Sequence, residues 1–340
     1  MIEATFPLLG TAFVVLIVLP AFALFAKLGL LLLEREEVLG PLRGLNLRYI
    51  LLTGSSAFPL AWLMSAGLHQ AESGRSVLAC LLDHDTAELC LEPGFFALIL
   101  SIAVMVTALR VVRRQQEPQA AMTEAARALS NRLERIISRD SALALLQHRV
   151  RVTEDDDFAL GTCGWFEPRV FVGAAFASRL SDAMLAGALA HEAEHVRSLD
   201  PLRYLILQVS LAVNPCGRFL LEPHAARWRV ALESHCDREA VVRGAAPLAL
   251  ADAIVRAARP GVQEAVGLGA RDTAVLELRV GMLLAFAERA PHGCRHQTLP
   301  AFPAAFILLM VAMLLPHQTG TAALDVLHTG AEHTVTYFWP

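Results

Sequence analysis

The sequence predicts a mainly α-helical integral membrane protein that also carries a globular α+β segment with a small β-sheet. Three observations predict it: long apolar runs without charge, a consistent charge asymmetry between the segments joining them, and one long stretch of ordinary globular composition. Hydrophobic residues are 55% of the 340 and charged residues 18%, against roughly 25% charged in an ordinary soluble domain. Mean hydropathy is +0.48, so part of the chain is expected to use lipid as its solvent. The 29 Lys and Arg against 33 Asp and Glu leave a formal charge of −4. That balance excludes a disordered chain, which needs high charge and low hydrophobicity. It also excludes a general nucleic-acid binder, which needs basic excess to neutralise phosphates.

Four runs carry the membrane reading. Residues 6–25 hold no charge, and the run continues past Lys27 to Leu33. Residues 49–68 and 94–109 are also uncharged, as are residues 299–315. A helix crossing about 30 Å of hydrocarbon needs about 20 residues, so the reading is three spans within 1–116 and a fourth at 299–316. The first run is too long for a removable signal peptide and lacks a basic start and a small-residue cleavage site.

Flanking charges orient the spans. Arg35, Arg43 and Arg48 lie between the first two runs, and Arg110, Arg113 and Arg114 follow the third. Between runs two and three a single Arg75 faces Glu72, Asp83, Asp85, Glu88 and Glu92, and the tail 317–340 has no Lys or Arg. The positive-inside rule then puts the N-terminus, the 69–93 loop and the short tail outside, and residues 113–298 in the cytoplasm. The Arg110–114 cluster reads as a topology determinant near anionic lipid rather than a nucleic-acid site. The oxidising side holds Cys80 and Cys90, which are either a disulfide or two separate thiols. Cys163, Cys216, Cys236 and Cys294 are expected to be reduced.

Residues 117–298 form the globular segment. Residues 120–147 are helical, with Leu129, Leu133, Ile136 and Ile137 at helical spacing. Residues 148–153 alternate as a strand, Asp155-Asp156-Asp157 marks a turn, and Gly161-Thr162-Cys163-Gly164 reads as a second turn. Arg169-Val170-Phe171-Val172 is a short β-prone run, and residues 170–173 are a candidate strand for pairing with an extended substrate. Residues 181–291 read as helices broken near Asn214-Pro215, Glu222-Pro223, Gly244 and Pro260-Gly261. Residues 204–217 are apolar but too short to span, and are expected at the membrane surface or beneath the site.

Chemistry concentrates in His191-Glu192-Ala193-Glu194-His195, inside an apolar helix. Histidines four apart lie about 40° from each other around a helix, on adjacent turns of one face. Both rings can then reach one tetrahedral Zn²⁺. Glu192, one step from His191, can reach the open position as general base. Glu194 points elsewhere and reads as a surface or supporting carboxylate. A catalytic zinc needs a third protein ligand, and Glu233 in Glu233-Ser234-His235-Cys236-Asp237 is the candidate. Asp237, four residues on, shares its face and can orient a ligand histidine, and Asp200 is a second orienting candidate. His235 and Cys236 are alternative ligands on chemical grounds, but neither fits the face of Glu233 and Asp237.

Gly164-Trp165-Phe166-Glu167-Pro168-Arg169-Val170-Phe171, the stretch from Ala190 through His191-Glu192-Ala193-Glu194-His195 to Asp200, Asn214-Pro215, and Glu233-Ser234-His235-Cys236-Asp237 together resemble the BlaR/MecR family of integral-membrane zinc metallopeptidases. The match covers residues 160–245, and the four-span topology extends it over nearly the whole chain. The resemblance implies a zincin-like (gluzincin) domain with His191, His195 and Glu233 on Zn²⁺ and Glu192 as catalytic base. The Glu-x-x-Cys-Asp form favours this family over HtpX-type housekeeping proteases. Leu276-Glu277-Leu278-Arg279-Val280 is similar to a helix that follows the site in the family.

What the resemblance implies is a multi-pass protein of the inner (cytoplasmic) membrane with a cytoplasmic active site. It would perform limited proteolysis of a protein substrate such as a transcriptional repressor or other regulator, and self-association is compatible with it. Membrane-protein quality control and non-proteolytic signalling are the rival expectations. Only 24 residues follow the last run, which leaves no room here for a penicillin-binding sensor domain, so β-lactam sensing is not expected. Arg243, His292 and His296 are candidate oxyanion donors. The tail histidines His317, His328 and His333 lack any pattern that would fix a metal site.

Overall fold

The described parts of the first three apolar runs fold as helices. In this computed structural model, which describes residues 14–35, 44–72, 93–113, 120, 123–155, 158–258 and 273–288, a π-helical turn Val14–Val18 leads into α1 (Leu19–Arg35), followed by α2 (Leu45–Glu72) and α3 (Pro93–Arg113). Leu19, Ala23, Ala26 and Leu30 recur on one buried stripe of α1, as a 3.6-residue period requires. Its other face shows Leu24, Phe25, Leu28, Leu31 and Leu32, and α3 shows Ile102, Met105, Val106 and Leu109. Among the described residues, one helix, Val15–Arg35 near the N-terminus, is long and apolar enough to cross a membrane. The expected fourth span, the tail and the Cys80–Cys90 loop lie outside the described residues.

The globular segment begins with α4 (Glu124–Arg139), whose N-cap Thr123 accepts from Ala126 N. A short 3₁₀ helix (Ser141–Leu146) leads into a three-stranded sheet of β1 (Val150–Thr153), β2 (Leu160–Cys163) and β3 (Arg169–Gly173). The strand order is β1-β3-β2, with β1 parallel and β2 antiparallel to β3. Two expectations are corrected here. Gly161–Cys163 belong to a strand rather than a turn, because Leu160 and Thr162 are buried beside β3; of the expected turn only Gly164, with φ 92°, lies outside the strand. Strand 170–173 is central, so both its edges are already paired, and it offers none to a substrate.

Six helices follow: α5 (Ala174–Ser178), α6 (Asp182–Arg197), α7 (Asp200–Val213), α8 (Gly217–Val242), α9 (Pro247–Ala257) and α10 (Thr273–Glu288). The break expected at Pro223 does not occur. Leu221, Ala225 and Trp228 on either side are fully buried, and that packing carries α8 across the one backbone hydrogen bond proline removes. Two apolar cores result. One gathers α4, the sheet, α6, α9, α10 and the end of α8. The other joins α1 and α2 to α7 and the first half of α8. Helix α8 therefore belongs to both, and the apolar N-terminal helices share a core with the globular segment.

The chain just before β2 packs against the end of β3 at Gly173. A Cβ there would lie 1.8 Å from the Phe158 carbonyl oxygen, a backbone atom that cannot rotate away. Gly173→Ala is expected to destabilise the protein by about 1–3 kcal/mol through forced backbone shifts, read as a lowered Tm in detergent.

Candidate metal centre

Helix α6 brings the two histidines together. Ser181 caps it by accepting from Met184 N, and every residue from Gly187 to Val196 is buried. After α6 the chain reverses at Leu199, whose left-handed φ of 52° is an uncommon conformation for a branched residue. The reversal sets Asp200, the first residue of α7, directly against His195. Helix α8 crosses α6 and delivers Glu233 and Asp237.

The ligand atoms converge. His191 Nε2 and His195 Nε2 are 3.1 Å apart. Glu233 Oε2 lies 3.3 Å from His191 Nε2, and its Oε1 lies 3.6 Å from His195 Nε2. Two ligands at about 2.0–2.1 Å from a tetrahedral zinc lie about 3.3 Å apart, so the spacing of this His, His, Glu set fits that ion. Glu192 supplies a second sign of fit. Thr162 donates to its Oε2 at 2.6 Å, while Oε1 is buried with no protein partner. A buried carboxylate oxygen left in that state is costly unless water or a cation meets it.

Each histidine is held from behind. Asp237 Oδ1 lies 2.8 Å from His191 Nδ1, and Asp200 Oδ2 lies 2.8 Å from His195 Nδ1. Each aspartate is in turn gripped by an arginine. Arg279 on α10 donates through Nε and Nη2 to Asp237 at 2.7 and 2.8 Å, and its Nη1 lies 3.2 Å from Glu233. Arg203 donates to Asp200 at 2.9 Å and stacks over Tyr49 and Trp228 at 5.1 and 5.5 Å. Sequence reasoning placed His191, Glu192, His195, Asp200, Glu233 and Asp237 here. It missed Thr162 and the site roles of Arg203 and Arg279. An arginine inside the apolar stretch Leu276–Phe286 is the signal that would have found Arg279, since such a charge needs a buried partner.

The remaining candidates sort by contact. Cys236 was expected off the face of Glu233, yet it is fully buried with its Sγ 3.6 Å from His195 Nδ1 and 3.7 Å from Asp200. One residue three along a helix shares a face as readily as one four along. His195, Asp200 and Cys236 form a second ligand-like group. Burial, reinforced by Asp200, Glu233 and Asp237, pushes the Cys236 thiol well up, so in the absence of a metal it is a protonated donor toward Asp200. His235 joins neither group. Glu194 is buried, not at the surface, and pairs with Arg197 and, at 2.8 Å, with Arg243. Arg243 is thereby engaged away from the histidines, and His292 and His296 lie outside the described residues.

Electrostatics follow from burial. Burial alone would lower His191, but the Asp237 and Glu233 carboxylates overcome it and push its pKa up to about 10. Against the cost of burial, Arg279 and His191 hold Asp237 well below the usual carboxylate range. Glu192, by contrast, is raised by burial, with His195 and His191 opposing.

Comparison of the chain with protein-family models, curated proteins and solved structures finds no match.

Two outcomes follow. Metal-free His191 is doubly protonated at neutral pH, and zinc can take Nε2 only after its proton leaves. Binding should release at least about one proton per zinc at pH 7 and tighten as pH rises toward the His191 value; calorimetric titrations in two buffers of different ionisation enthalpy measure it, and zero release would contradict it. Arg279→Met should lower stability by about 3–5 kcal/mol, because Asp237 and Glu233 lose their buried counter-charge. A Tm unchanged from wild type would show that the carboxylates find other partners.

Proposed function

We propose that the protein is a membrane-embedded zinc-dependent endopeptidase that cuts a cytoplasmic or membrane-associated regulatory protein, in signalling. In this reading it is a multi-pass protein of the cytoplasmic membrane with four spans and its metal centre on the cytoplasmic side. The observation that carries it is the convergence of three ligand atoms beside a buried carboxylate with one oxygen left open. The resemblance of residues 160–245 to BlaR/MecR metallopeptidases, carried largely by the same residues, supports the same reading.

His191, His195 and Glu233 would hold the ion. When bound, zinc supplies a Lewis acid for the scissile carbonyl and acidifies water in its reach. Glu192 Oε1 takes a proton from the attacking water and delivers it to the leaving amine. Thr162, through its bond to Oε2, keeps the carboxylate turned so that Oε1 faces the reaction. The raised affinity of Glu192 for protons suits a group that must accept one and then give it up. Asp200 and Asp237 hold the imidazoles in one tautomer, so both Nε2 lone pairs point inward. Strand β2 carries Thr162 and, in the β1-β3-β2 sheet, has no strand on its far side among the described residues. An extended substrate adding there would run past Glu192.

A scaffold without protease activity needs the aspartates but has no use for Glu192. Glu192→Gln is nearly isosteric and cannot accept the proton, so it should retain about one zinc per chain and lose cleavage. Comparing new N-termini in the membrane-associated proteome of wild-type and variant cells measures this. Equal cleavage in both would remove the protease reading.

A further inference from the structure

Helix α7 and the first half of α8 form a hairpin whose contacts with α1 and α2 run in step along its length. Tyr49 donates to the Arg203 carbonyl at 3.4 Å, and Ser56 donates to the Ser210 carbonyl at 2.7 Å. Seven residues separate the two contacts on each helix, so α7 runs parallel to α2 for about 10 Å. At the tip, Asn214 donates to the Leu19 carbonyl at 2.6 Å. On the return, Glu34 meets His224 at 3.3 Å and also pairs with Arg227. Leu19 and Glu34 are about 22 Å apart along α1.

We propose that this hairpin is re-entrant. It enters the bilayer from the side of the metal centre and turns past mid-depth at Asn214–Gly217, with its outward face against lipid acyl chains. The proposal rests on the reading that α1 and α2 span the membrane. Given that, Glu34 and Arg48, paired at 3.1 Å, mark the inner surface, and 22 Å inward exceeds half of a hydrocarbon layer of about 30 Å.

The tip is built as lipid requires, with backbone groups satisfied internally. Asn214 Oδ1 accepts from Cys216 N, and Gly217 N donates back to the Asn214 carbonyl. A Cβ on Gly217 would lie 2.7 Å from the Leu211 carbonyl oxygen, so the two helices close tightly there. Residues 204–217 contain no Asp, Glu, Lys or Arg. Phe219, 84% exposed, would be unsupported in water but suits acyl chains. Glu222, lower on the return, reaches Arg229 at 2.7 Å. Among the described residues Arg218 is the one exposed charge near the tip, and a long guanidinium stem draws water and phosphate inward at a cost of a few kcal/mol. The metal centre sits at the base, since Arg203, which holds Asp200, also reaches Asn46 at the start of α2. Its substrates are therefore polypeptides presented at the membrane surface.

The test uses the full chain in phospholipid vesicles, with a fluorescent amino acid placed in turn at Phe219, Phe25 and Leu248. All three are exposed, so the replacements leave packing intact. Quenchers are lipids bearing a nitroxide on the acyl chain, and aqueous iodide. The expected result is that positions 219 and 25 are quenched by the nitroxide lipid and shielded from iodide, with 248 the reverse. Position 219 behaving like 248 while 25 remains lipid-quenched would overturn the hairpin alone. Position 25 open to iodide would overturn the spanning reading and the hairpin with it.

Discussion

The site depends on fixing which nitrogen each histidine presents. An imidazole free to rotate or to change tautomer would offer Nδ1 as readily as Nε2. Asp237 and Asp200 take the Nδ1 side of His191 and His195, and that leaves two Nε2 atoms facing Glu233. Burying those carboxylates costs several kcal/mol each. Arg279 and Arg203 offset the cost, and neither arginine lies on the helix of the histidines. The metal geometry is therefore a tertiary property: α6 supplies the rings, while α7, α8 and α10 decide how the rings stand.

Those two arginines also tie the site to separate cores. Arg279 belongs to α10, which packs in the core around the sheet. Arg203 lies over the adjoining rings of Tyr49 of α2 and Trp228 of α8, in the core shared with the N-terminal helices. His191 is thus steadied from the globular side and His195 from the side of α1 and α2. A shift of α2 past α7 would act on His195 first, through Arg203 and Asp200, while leaving the Arg279–Asp237–His191 chain in place.

The difference between what was legible in the sequence and what was not follows sequence distance. His191, Glu192 and His195 lie on one helix, as do Glu233 and Asp237, so the 3.6-residue repeat alone groups each set. Asp200 is near enough to His195 for a tight turn to join them. Thr162 and Arg279 come from 30 and 42 residues away, where spacing carries no information. Thr162 was hidden further by the glycines beside it, which read as a turn although four residues, three of them buried, suffice for a strand against β3. Pro223 misled in the other direction, since local chain preference gave way to Leu221, Ala225 and Trp228 packing around it. Cys236 was misplaced because three-residue spacing was set aside in favour of four.

Helix α8 shows why the N-terminal helices and the site-side part of this chain cannot be treated as separable. Its first half carries His224 and Arg227 to Glu34 at the end of α1, and its second half carries Glu233 and Asp237 to the histidines. Trp228, fully buried between them, locks the rotation of the helix about its own axis by packing edge-on to Tyr204 and tilted on Tyr49. Since Glu233 stands five residues beyond Trp228, about a turn and a half along the same rigid rod, any rotation imposed at the Glu34 end moves the Glu233 carboxylate sideways relative to His191 and His195. Helices packed at interior density repack in discrete steps rather than deforming smoothly. A displacement of α1 would therefore reach the centre along α8 as a change in which carboxylate atoms converge, and by this route Glu233 rather than the histidine pair is the member that moves.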